Sequence, residues 1–377
     1  MEITMKVLFL SVPAGGGHHQ TAKAMTDYFA EFVNVETKIL DVAENVNIVL
    51  KELISKGYIL STTIFPKAYS AIYDILDAKT SDDDEVTRYN KLIANAFKRR
   101  LLKSLEEYQP DVIVSTHVWA TMVLNRIAKR HKIDAPIISI VTDYTMHPFW
   151  EQAKSDYYII PSELLSYQAI KKLGNNKVIL PLGIPISPKF SQKKDRALAS
   201  AALDIDNKFT VLVMMGSMGY GKAAVDIIKQ LDKLPDDFQI IAVCGNNKRL
   251  KSSISKLKLH RKLICYGYVT NVDEIMDSSD CIITKPGGLT TSEALAKNLP
   301  LILTNPIPGQ EDRNMEFMVN HGLALSVSDT FPADEAVYLL MNYPHIARQL
   351  KDNAKLLAKP DAAKNLGEFI LDIYKEQ

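Results

Sequence analysis

Residues 282–314 read IITKPGGLTTSEALAKNLPLILTNPIPGQEDRN and contain the pattern that decides the fold. An apolar run typical of a buried strand stops at Pro286-Gly287-Gly288, and a helical stretch containing Glu293 follows. The glycines let the backbone approach a ligand closely, and a helix N-terminus offers unpaired N–H groups and a positive dipole end. The segment therefore predicts a phosphate or diphosphate site at the end of a strand.

The second half of this stretch predicts a neighbouring sugar site. Another strand-like run, Leu299–Thr304, leads into a turn that is stiffened by prolines. Gln310 and Glu311 then stand side by side at the start of the next helical pattern. An amide and a carboxylate together supply donors and acceptors, which suits a ligand with many hydroxyl groups.

The composition indicates a globular chain with two domains. Its 377 residues are 47% hydrophobic and 24% charged, a length that favours two cores over one. The 45 basic and 44 acidic side chains nearly cancel, so we expect no nucleic-acid partner. Cys244, Cys265 and Cys281 form no CxxC pair, which argues against a disulfide framework and a structural zinc site. No apolar run approaches the roughly 18 residues of a membrane span, so we expect any membrane contact to be peripheral.

Strand-like runs alternate with helical stretches in both halves of the chain, which predicts an α/β fold with parallel sheets covered on both faces. We expect an N-terminal domain over 1–190, a C-terminal domain over 200–360, and a last helix within 361–377 that could pack on either. The expected strands are Lys6–Val12, Val35–Asp41, Asp111–Ser115, Pro136–Val141, Tyr157–Ile160, Lys177–Leu180, Phe209–Met214, Gln239–Val243, Leu263–Tyr266, Cys281–Thr284 and Leu301–Thr304.

Residues 45–108 interrupt this alternation. They are rich in Leu, Ile, Tyr and Phe, contain no clear strand, and end in a basic stretch that includes Lys98, Arg99 and Arg100. A helical insertion of this kind could bind an acceptor or a membrane surface. The alternative is a solvated helix face above a small additional core.

Gly15-Gly16-Gly17-His18 follows the first predicted strand and opens the first helical stretch, where open α/β sheets bind ligands. No Lys-Ser/Thr pair follows, so this is not a Walker loop, and Gln20 replaces the third glycine of a dinucleotide fingerprint. The loop instead presents an imidazole at a helix N-terminus. His18 is therefore the candidate general base.

Residues 216–222, GSMGYGK, occupy the corresponding place after the first strand of the second domain. Their glycine backbone, Ser217 and Lys222 could contact diphosphate oxygens. Asp204-Ile205-Asp206 has the spacing of a metal–nucleotide motif but precedes a strand in the linker. We therefore do not expect a metal there.

Together these motifs resemble those of GT-B glycosyltransferases, which implies two Rossmann-like domains facing across a cleft. More narrowly, the chain resembles the monogalactosyl- and glucosyl-diacylglycerol synthases, relatives of the transferase that adds N-acetylglucosamine to the lipid-linked cell-wall precursor. The resemblance covers nearly the whole chain. Its matching pieces are VLFLSVPAGGGH at 7–18, VTDYTMHPFW at 141–150, VCGNN at 243–247, YGYVTNVDEIMDSSDCIITKPGGLTTSEA at 266–294 and PIPGQEDRN at 306–314.

The resemblance implies roles for residues in donor binding. Uracil would contact the backbone near Val269, Glu293 would accept hydrogen bonds from the ribose hydroxyls, and Gln310 with Glu311 would bind the sugar. An ordinary first-turn acid favoured by the helix dipole is the alternative for Glu293. The other implied donor-site residues are Gly16, Gly17, Gly216, Ser217, Gly287 and Gly288.

The resemblance also implies the reaction. His18 would take the acceptor proton, and Asp143 would either orient His18 or act as the base itself. The expected activity is inverting, metal-independent transfer of a hexose, glucose or galactose, from a UDP-sugar to diacylglycerol, without a cofactor. The enzyme would be cytoplasmic and peripheral on the inner face of the cell membrane. The alternatives are transfer of N-acetylglucosamine to another lipid-linked acceptor, and a non-catalytic nucleotide-sugar-binding protein.

Overall fold

The computed structural model describes residues 4–12, 16–42, 98, 100–215 and 221–376. It divides into two compact units. The first comprises Met1–Pro188, Ile307–Gln310 and Asp361–Gln377, and the second comprises Lys189–Pro306 and Glu311–Pro360. Most of the predicted insertion at 45–108 lies outside the described residues, although residues 100–108 are helical.

The first unit is built on a six-stranded parallel sheet with the order β2-β1-β3-β4-β5-β6. Its strands are β1 Met5–Ser11, β2 Val35–Asp41, β3 Val112–Ser115, β4 Ile137–Ile140, β5 Tyr157–Ile159 and β6 Val178–Leu180. Its helices include α1 Gly17–Phe29, α2 Val118–Ala128, α3 Ser166–Leu173 and, from the end of the chain, α12 Ala362–Lys375, with short 3-10 turns at Pro148–Gln152 and Glu163–Leu165.

Strand β1 is apolar on both faces because helices cover both. Leu8 packs with Leu124 of α2 on one face, while Phe9 packs with Phe29 of α1 on the other. Leu366 of α12 enters the same cluster as Phe9 and Phe29, so the last helix packs on the first unit. Burial of each such side chain contributes about 1.5–3 kcal/mol.

The contact between α1 and α12 requires a glycine. A Cβ placed on Gly367 would lie 2.1 Å from the ring of Tyr28 on α1. The centroid of that ring lies 5.5 and 5.3 Å from the ring centroids of Phe29 and Phe32. A side chain at position 367 would therefore force the ring of Tyr28 or one of the two helices to shift.

The second unit repeats the plan with the strand order β12-β11-β10-β7-β8-β9. Its strands are β7 Phe209–Met214, β8 Phe238–Val243, β9 Lys262–Tyr266, β10 Cys281–Thr284, β11 Leu301–Leu303 and β12 Ala324–Ser326. Its helices are α4 Arg196–Ala202, α5 Gly221–Leu231, α6 Lys248–Ser255, α7 Val272–Asp277, α8 Gly288–Ala296, α9 Gln310–Asn320, α10 Ala333–Asn342 and α11 Pro344–Leu357, and a 3-10 turn covers Pro188–Phe190.

The predicted strands are confirmed to within about a residue, but β12 is missing from the prediction. Ala324–Ser326 is only three residues long and reads Ala-Leu-Ser, so it has none of the β-branched or aromatic residues that favour strands, whereas each other strand contains at least one. The strand adds a sixth member at the edge of the sheet, beside β11.

The strand orders decide where ligands can bind. The chain leaves β1 for β2 on one side and reaches β3 on the other, and β7 similarly lies between β8 and β10. Such reversals create crevices at the carboxyl ends of the central strands. In the first unit, α1 and His18 follow β1, and in the second, Pro286 and α8 follow β10. Among the helices that the structure describes, none is long and apolar enough to cross a membrane.

Candidate active-site residues

His18 lies in the first turn of α1, directly after the Gly16-Gly17 step. Its Nδ1 is 2.8 Å from the backbone oxygen of Thr116 and 3.0 Å from Oγ1 of Thr142. A carbonyl oxygen can only accept, so Nδ1 carries the proton and Nε2 holds the lone pair. This tautomer leaves the Nε2 lone pair available to accept a proton.

The surroundings keep His18 neutral. Burial lowers the pKa of its imidazole below the ordinary 6.5, and the charge of Asp143 and the bond to Thr116 only partly oppose this effect. The N-terminus of a helix also disfavours a positive charge. A neutral imidazole near pH 7 can accept a proton, which supports the role predicted for this residue.

Two further histidines belong to this part of the first unit, since His117 contacts His18 and His147 acts electrostatically on His117, and sequence reasoning did not single them out. The ring of His117 meets that of His18 edge-on, with centroids 4.5 Å apart. Nδ1 of His117 accepts from the backbone N–H of Trp119 at 3.1 Å, and Nδ1 of His147 accepts from that of Phe149 at 3.0 Å. Burial, followed by the nearby His18 and His147, holds the pKa of His117 well below its usual value. His117 is therefore kept neutral near pH 7.

Asp143 follows β4 and is half-buried. Its charge acts on His18, but the oxygens on Nδ1 of His18 are those of Thr116 and Thr142. Within the first unit, Asp143 also accepts a hydrogen bond from the side-chain amide of Gln310. Groups at the ends of β3 and β4 thus help to orient the imidazole, and the charge of Asp143 raises its pKa.

In the second unit, the turn predicted at Pro286-Gly287-Gly288 starts α8. Thr284 ends β10 and ties it to β7, because its hydroxyl donates to the carbonyl of Met214 at 2.6 Å. Among the described residues, no side chain caps α8 at Gly287. The first N–H groups of a helix have no partner within it, so those of α8 are suited to bind an anion.

The reason for glycine at 287 differs from the conformational one. Gly287 has a φ of −77°, which any residue adopts. A Cβ there would lie 3.8 Å from Oε1 of Glu311, an ordinary contact. The fold itself therefore does not demand glycine at this position. The absence of a side chain at Gly287 leaves space for a ligand that approaches the backbone closely.

Glu293 lies in the second turn of α8, because the helix begins at Gly288 and has no acid in its first turn. The alternative of an ordinary first-turn acid is therefore wrong. Burial raises the pKa of Glu293 to about 8, with Lys189 opposing the change and Asp273 adding to it. Lys189 itself pairs with Asp273 at 3.2 Å. A carboxyl with so high a pKa is typical of a binding or catalytic position.

Glu311, the second residue of α9, pairs with the residue that precedes the Pro286 turn. Its Oε1 is 2.9 Å from Nζ of Lys285, and both side chains are mostly buried. Asn314, one turn later on α9, donates to the carbonyl of Pro286 at 2.9 Å. These contacts fasten the start of α9 to the Pro286 turn. Gln310 belongs with Asp143 to the first unit and donates to it, and its predicted contact with the sugar stays a prediction.

The other predicted donor residues are placed as follows. Val269 lies half-buried in the loop between β9 and α7, at the carboxyl edge of the second sheet. Gly16 and Gly17 form the start of α1. Gly216 and Ser217 lie outside the described residues.

Asp206 of the weak metal motif pairs with Lys262 at 2.7 Å. Across the part of the chain that the structure describes, no group of three His, Cys, Asp or Glu side chains could hold a metal ion.

Each half of the chain matches a family model of sugar-transferring enzymes. Residues 18–186 match monogalactosyldiacylglycerol (MGDG) synthase, and residues 195–357 match glycosyl transferases group 1. The chain is a glycosyltransferase. It is 28% identical to a processive diacylglycerol beta-glucosyltransferase of Bacillus subtilis strain 168, over 98% of this chain and 96% of that protein. It is 27% identical to the protein of the same description from Bacillus cereus strain AH187, over 97% and 93%.

Solved structures give this glycosyltransferase the GT-B fold. MurG of Acinetobacter baumannii superimposes with a TM-score of 0.62 at 13% identity, covering 98% of this chain and 99% of that one. TcCGT1 in complex with UDP superimposes with a TM-score of 0.63 at 12% identity, covering 99% of both chains. At identities this low, the superpositions show the fold alone, and the two parallel six-stranded sheets agree with it.

Proposed function

We propose that this glycosyltransferase moves a hexose from a UDP-sugar to diacylglycerol, with inversion at the anomeric carbon and without a metal ion. The observation that carries the proposal is its match to diacylglycerol beta-glucosyltransferases along 98% of the chain. Because those relatives are named for glucosyl transfer, we expect UDP-glucose to be the preferred donor.

The acceptor chemistry rests on His18. Its Nε2 lone pair takes the proton of the free hydroxyl of diacylglycerol, and that oxygen attacks the anomeric carbon. The bond from this carbon to the UDP oxygen breaks on the opposite face, so an α-linked donor yields a β-linked product. The bond from Nδ1 to Thr116 supports this role, since it also stabilises the protonated imidazole as it forms.

Departure of UDP rests on the start of α8. Backbone N–H groups after Gly287 and the positive end of the helix stabilise the charge that develops on the diphosphate. Lys285, whose ammonium lies beside Glu311, is a further positive group at this turn. These groups can do the work of a divalent cation, which is the reason to propose a metal-independent reaction.

Donor recognition rests on Glu293 and Val269. We propose that Glu293 accepts hydrogen bonds from the ribose hydroxyls and that the backbone near Val269 contacts uracil. The acceptor is a lipid, so the enzyme must work at a bilayer surface. We propose the cytoplasmic face, with the basic stretch that includes Lys98 and Arg100 contributing to peripheral attachment.

A screen of donors against lipid acceptors tests the proposal. The purified protein is given UDP-glucose, UDP-galactose or UDP-N-acetylglucosamine with diacylglycerol in mixed micelles, and both released UDP and the lipid product are measured. Diacylglycerol-dependent UDP release with formation of a hexosyl lipid is expected. Transfer of N-acetylglucosamine alone, or UDP release that is independent of lipid, would overturn the assignment.

A further inference from the structure

Two cysteine thiols of the second unit lie in contact on neighbouring strands. Cys244 directly follows the last residue of β8, and Cys265 lies near the end of β9. Their sulfur atoms are 3.7 Å apart. Because Ala242 pairs with Cys265 in the parallel register, and Cys244 is two residues after Ala242, both thiols project from the same face of the sheet.

The two thiols differ in exposure and in acidity. Cys244 is buried, whereas Cys265 is partly exposed. A hydrogen bond from Cys244, then a bond from Ser255 and the charge of Lys251, outweigh burial and lower the pKa of Cys265 to about 6. The same pairing raises the pKa of Cys244. Cys265 is therefore the nucleophilic member of the pair, and Cys244 keeps its proton.

We propose that Cys244 and Cys265 form an oxidation site that a hydroperoxide converts into a disulfide. The Cys265 thiolate attacks the peroxide, the O–O bond breaks, and a sulfenic acid and hydroxide form. The thiol of Cys244 then attacks that sulfur, the S–O bond breaks, and the second oxygen leaves as water. In sum, two thiols and one hydrogen peroxide give one disulfide and two waters.

The third cysteine provides an internal contrast. Cys281 is completely buried in β10, and burial raises the pKa of its thiol. It is an inert core residue that should not react with peroxide in the folded protein. The proposed chemistry is thus confined to one pair, and Cys281 serves as the matched control.

Closing the bond would move the backbone beside the proposed nucleotide site. Neighbouring strands lie about 4.8 Å apart and rise about 3.3 Å per residue, so residues offset by two positions on adjacent strands have Cα atoms about 8 Å apart, whereas disulfides join Cα atoms about 4.4–6.8 Å apart. The end of β8 must therefore shift toward β9. The chain turns immediately beyond Cys244, where Gly245 has a φ of +54°, and its carbonyl lies 3.8 Å from the Cβ position of Gly267.

Gly267 is two residues before Val269, the proposed contact of the uracil. We infer that oxidation distorts this loop and weakens nucleotide binding, a consequence that rests on the proposed function. Nucleotide binding and disulfide formation would then oppose each other, as linked equilibria require. The oxidation itself does not depend on what the enzyme binds.

Thiol counting on the intact protein tests the oxidation site. The reduced protein is treated with hydrogen peroxide, denatured, and labelled with a maleimide reagent that adds mass to each free thiol. The count should fall from three to one and return to three with dithiothreitol. Cys281→Ala should fall from two to none, while Cys244→Ser and Cys265→Ser should form no disulfide. In Cys244→Ser, dimedone should trap a sulfenic acid at residue 265.

Three reactive thiols after peroxide treatment, or equal loss of all three, would overturn the oxidation site. UDP binding by calorimetry tests the consequence separately. Kd should rise about tenfold on oxidation, equivalent to losing one or two hydrogen bonds, and recover with dithiothreitol. A disulfide that forms without changing Kd would refute the effect on binding. Failure of the reduced protein to bind UDP at all would count against the proposed function instead.

Discussion

Replacing Glu293 with glutamine should stabilise the protein while weakening its binding of the donor. Burial raises the pKa of this carboxyl from 4.5 to about 8, so the folded chain resists its ionisation. That difference corresponds to at most about 5 kcal/mol. Partial exposure of the side chain reduces the effect, and we expect about 1–3 kcal/mol at pH 8. Glutamine keeps the shape but cannot ionise.

The pH dependence gives the expected sign. Between pH 4.5 and 8 the unfolded chain loses the proton of Glu293 before the folded chain does. The folded state therefore binds more protons, and wild-type stability falls as pH rises through this window. Glu293→Gln removes this loss, so its advantage in unfolding free energy should be absent near pH 4.5 and largest above pH 8. Denaturant titrations at a series of pH values measure it.

A second glutamate offers a matched control. The pKa of Glu274 is lowered, chiefly by its hydrogen bonds to Lys194 and then Asn271, so Glu274→Gln removes a favourable carboxylate. That variant should gain no stability at pH 8. If Glu293→Gln and Glu274→Gln behave alike, or if Glu293→Gln shows no gain that grows with pH, the burial argument is refuted.

Donor binding should show the opposite trend. If the ribose binds only the ionised carboxylate, Glu293 must release its proton to solvent when the donor binds below pH 8. The wild-type Kd for UDP-glucose should therefore fall by up to about tenfold for each unit that the pH rises toward 8. Glu293→Gln should be nearly independent of pH and weaker than wild type at pH 9 by about 1–3 kcal/mol. Calorimetric titrations from pH 6 to 9 measure both Kd values. If Kd depends on pH in the same way for the wild type and for Glu293→Gln, Glu293 does not bind the ribose as a carboxylate.

Four other results are expected. His18→Ala should lower kcat roughly 100-fold with donor affinity nearly intact. If His18→Ala keeps normal turnover while Asp143→Asn is inactive, Asp143 is the general base and His18 is not. Reversing the three basic charges at 98–100 should sharply reduce co-sedimentation with anionic vesicles at low salt; unchanged sedimentation would count against that surface. Gly367→Ala should cost about 1–3 kcal/mol of unfolding free energy, because its methyl group meets the ring of Tyr28, and a thermal shift assay measures this. EDTA should leave turnover intact, and strong inhibition would imply a metal.

The central strands were predictable because their physical cause is local. The strand that contains Phe9 is apolar on both faces, since helices cover both sides of a parallel sheet. A continuous apolar run of this kind can be recognised from a single sequence. Strand β12 was not predictable, because its three residues, Ala-Leu-Ser, include none of the β-branched or aromatic side chains that favour a strand. The packing of α12 on the first unit depends on Tyr28 and Gly367, residues separated by most of the chain.

Some residues of the candidate site were likewise predictable from local sequence, and others were not. His18 and the Pro286 turn follow strands directly, so a strand followed by glycines indicated both. The groups that orient His18 come from Thr116 and Thr142, 98 and 124 residues away in sequence, and no local pattern connects them. The raised pKa of Glu293 likewise depends on burial and on Lys189 and Asp273, which only folding brings together.

The central claim is tested most directly by the stereochemistry of the lipid product. The wild-type enzyme and His18→Ala are incubated with UDP-glucose and diacylglycerol, and the anomeric configuration of the glucosyl lipid is determined by proton NMR. The account predicts a β-linked glucosyl-diacylglycerol from the wild type and roughly 100-fold less of it from the variant. An α-linked lipid, or equal amounts of product from both proteins, would contradict it.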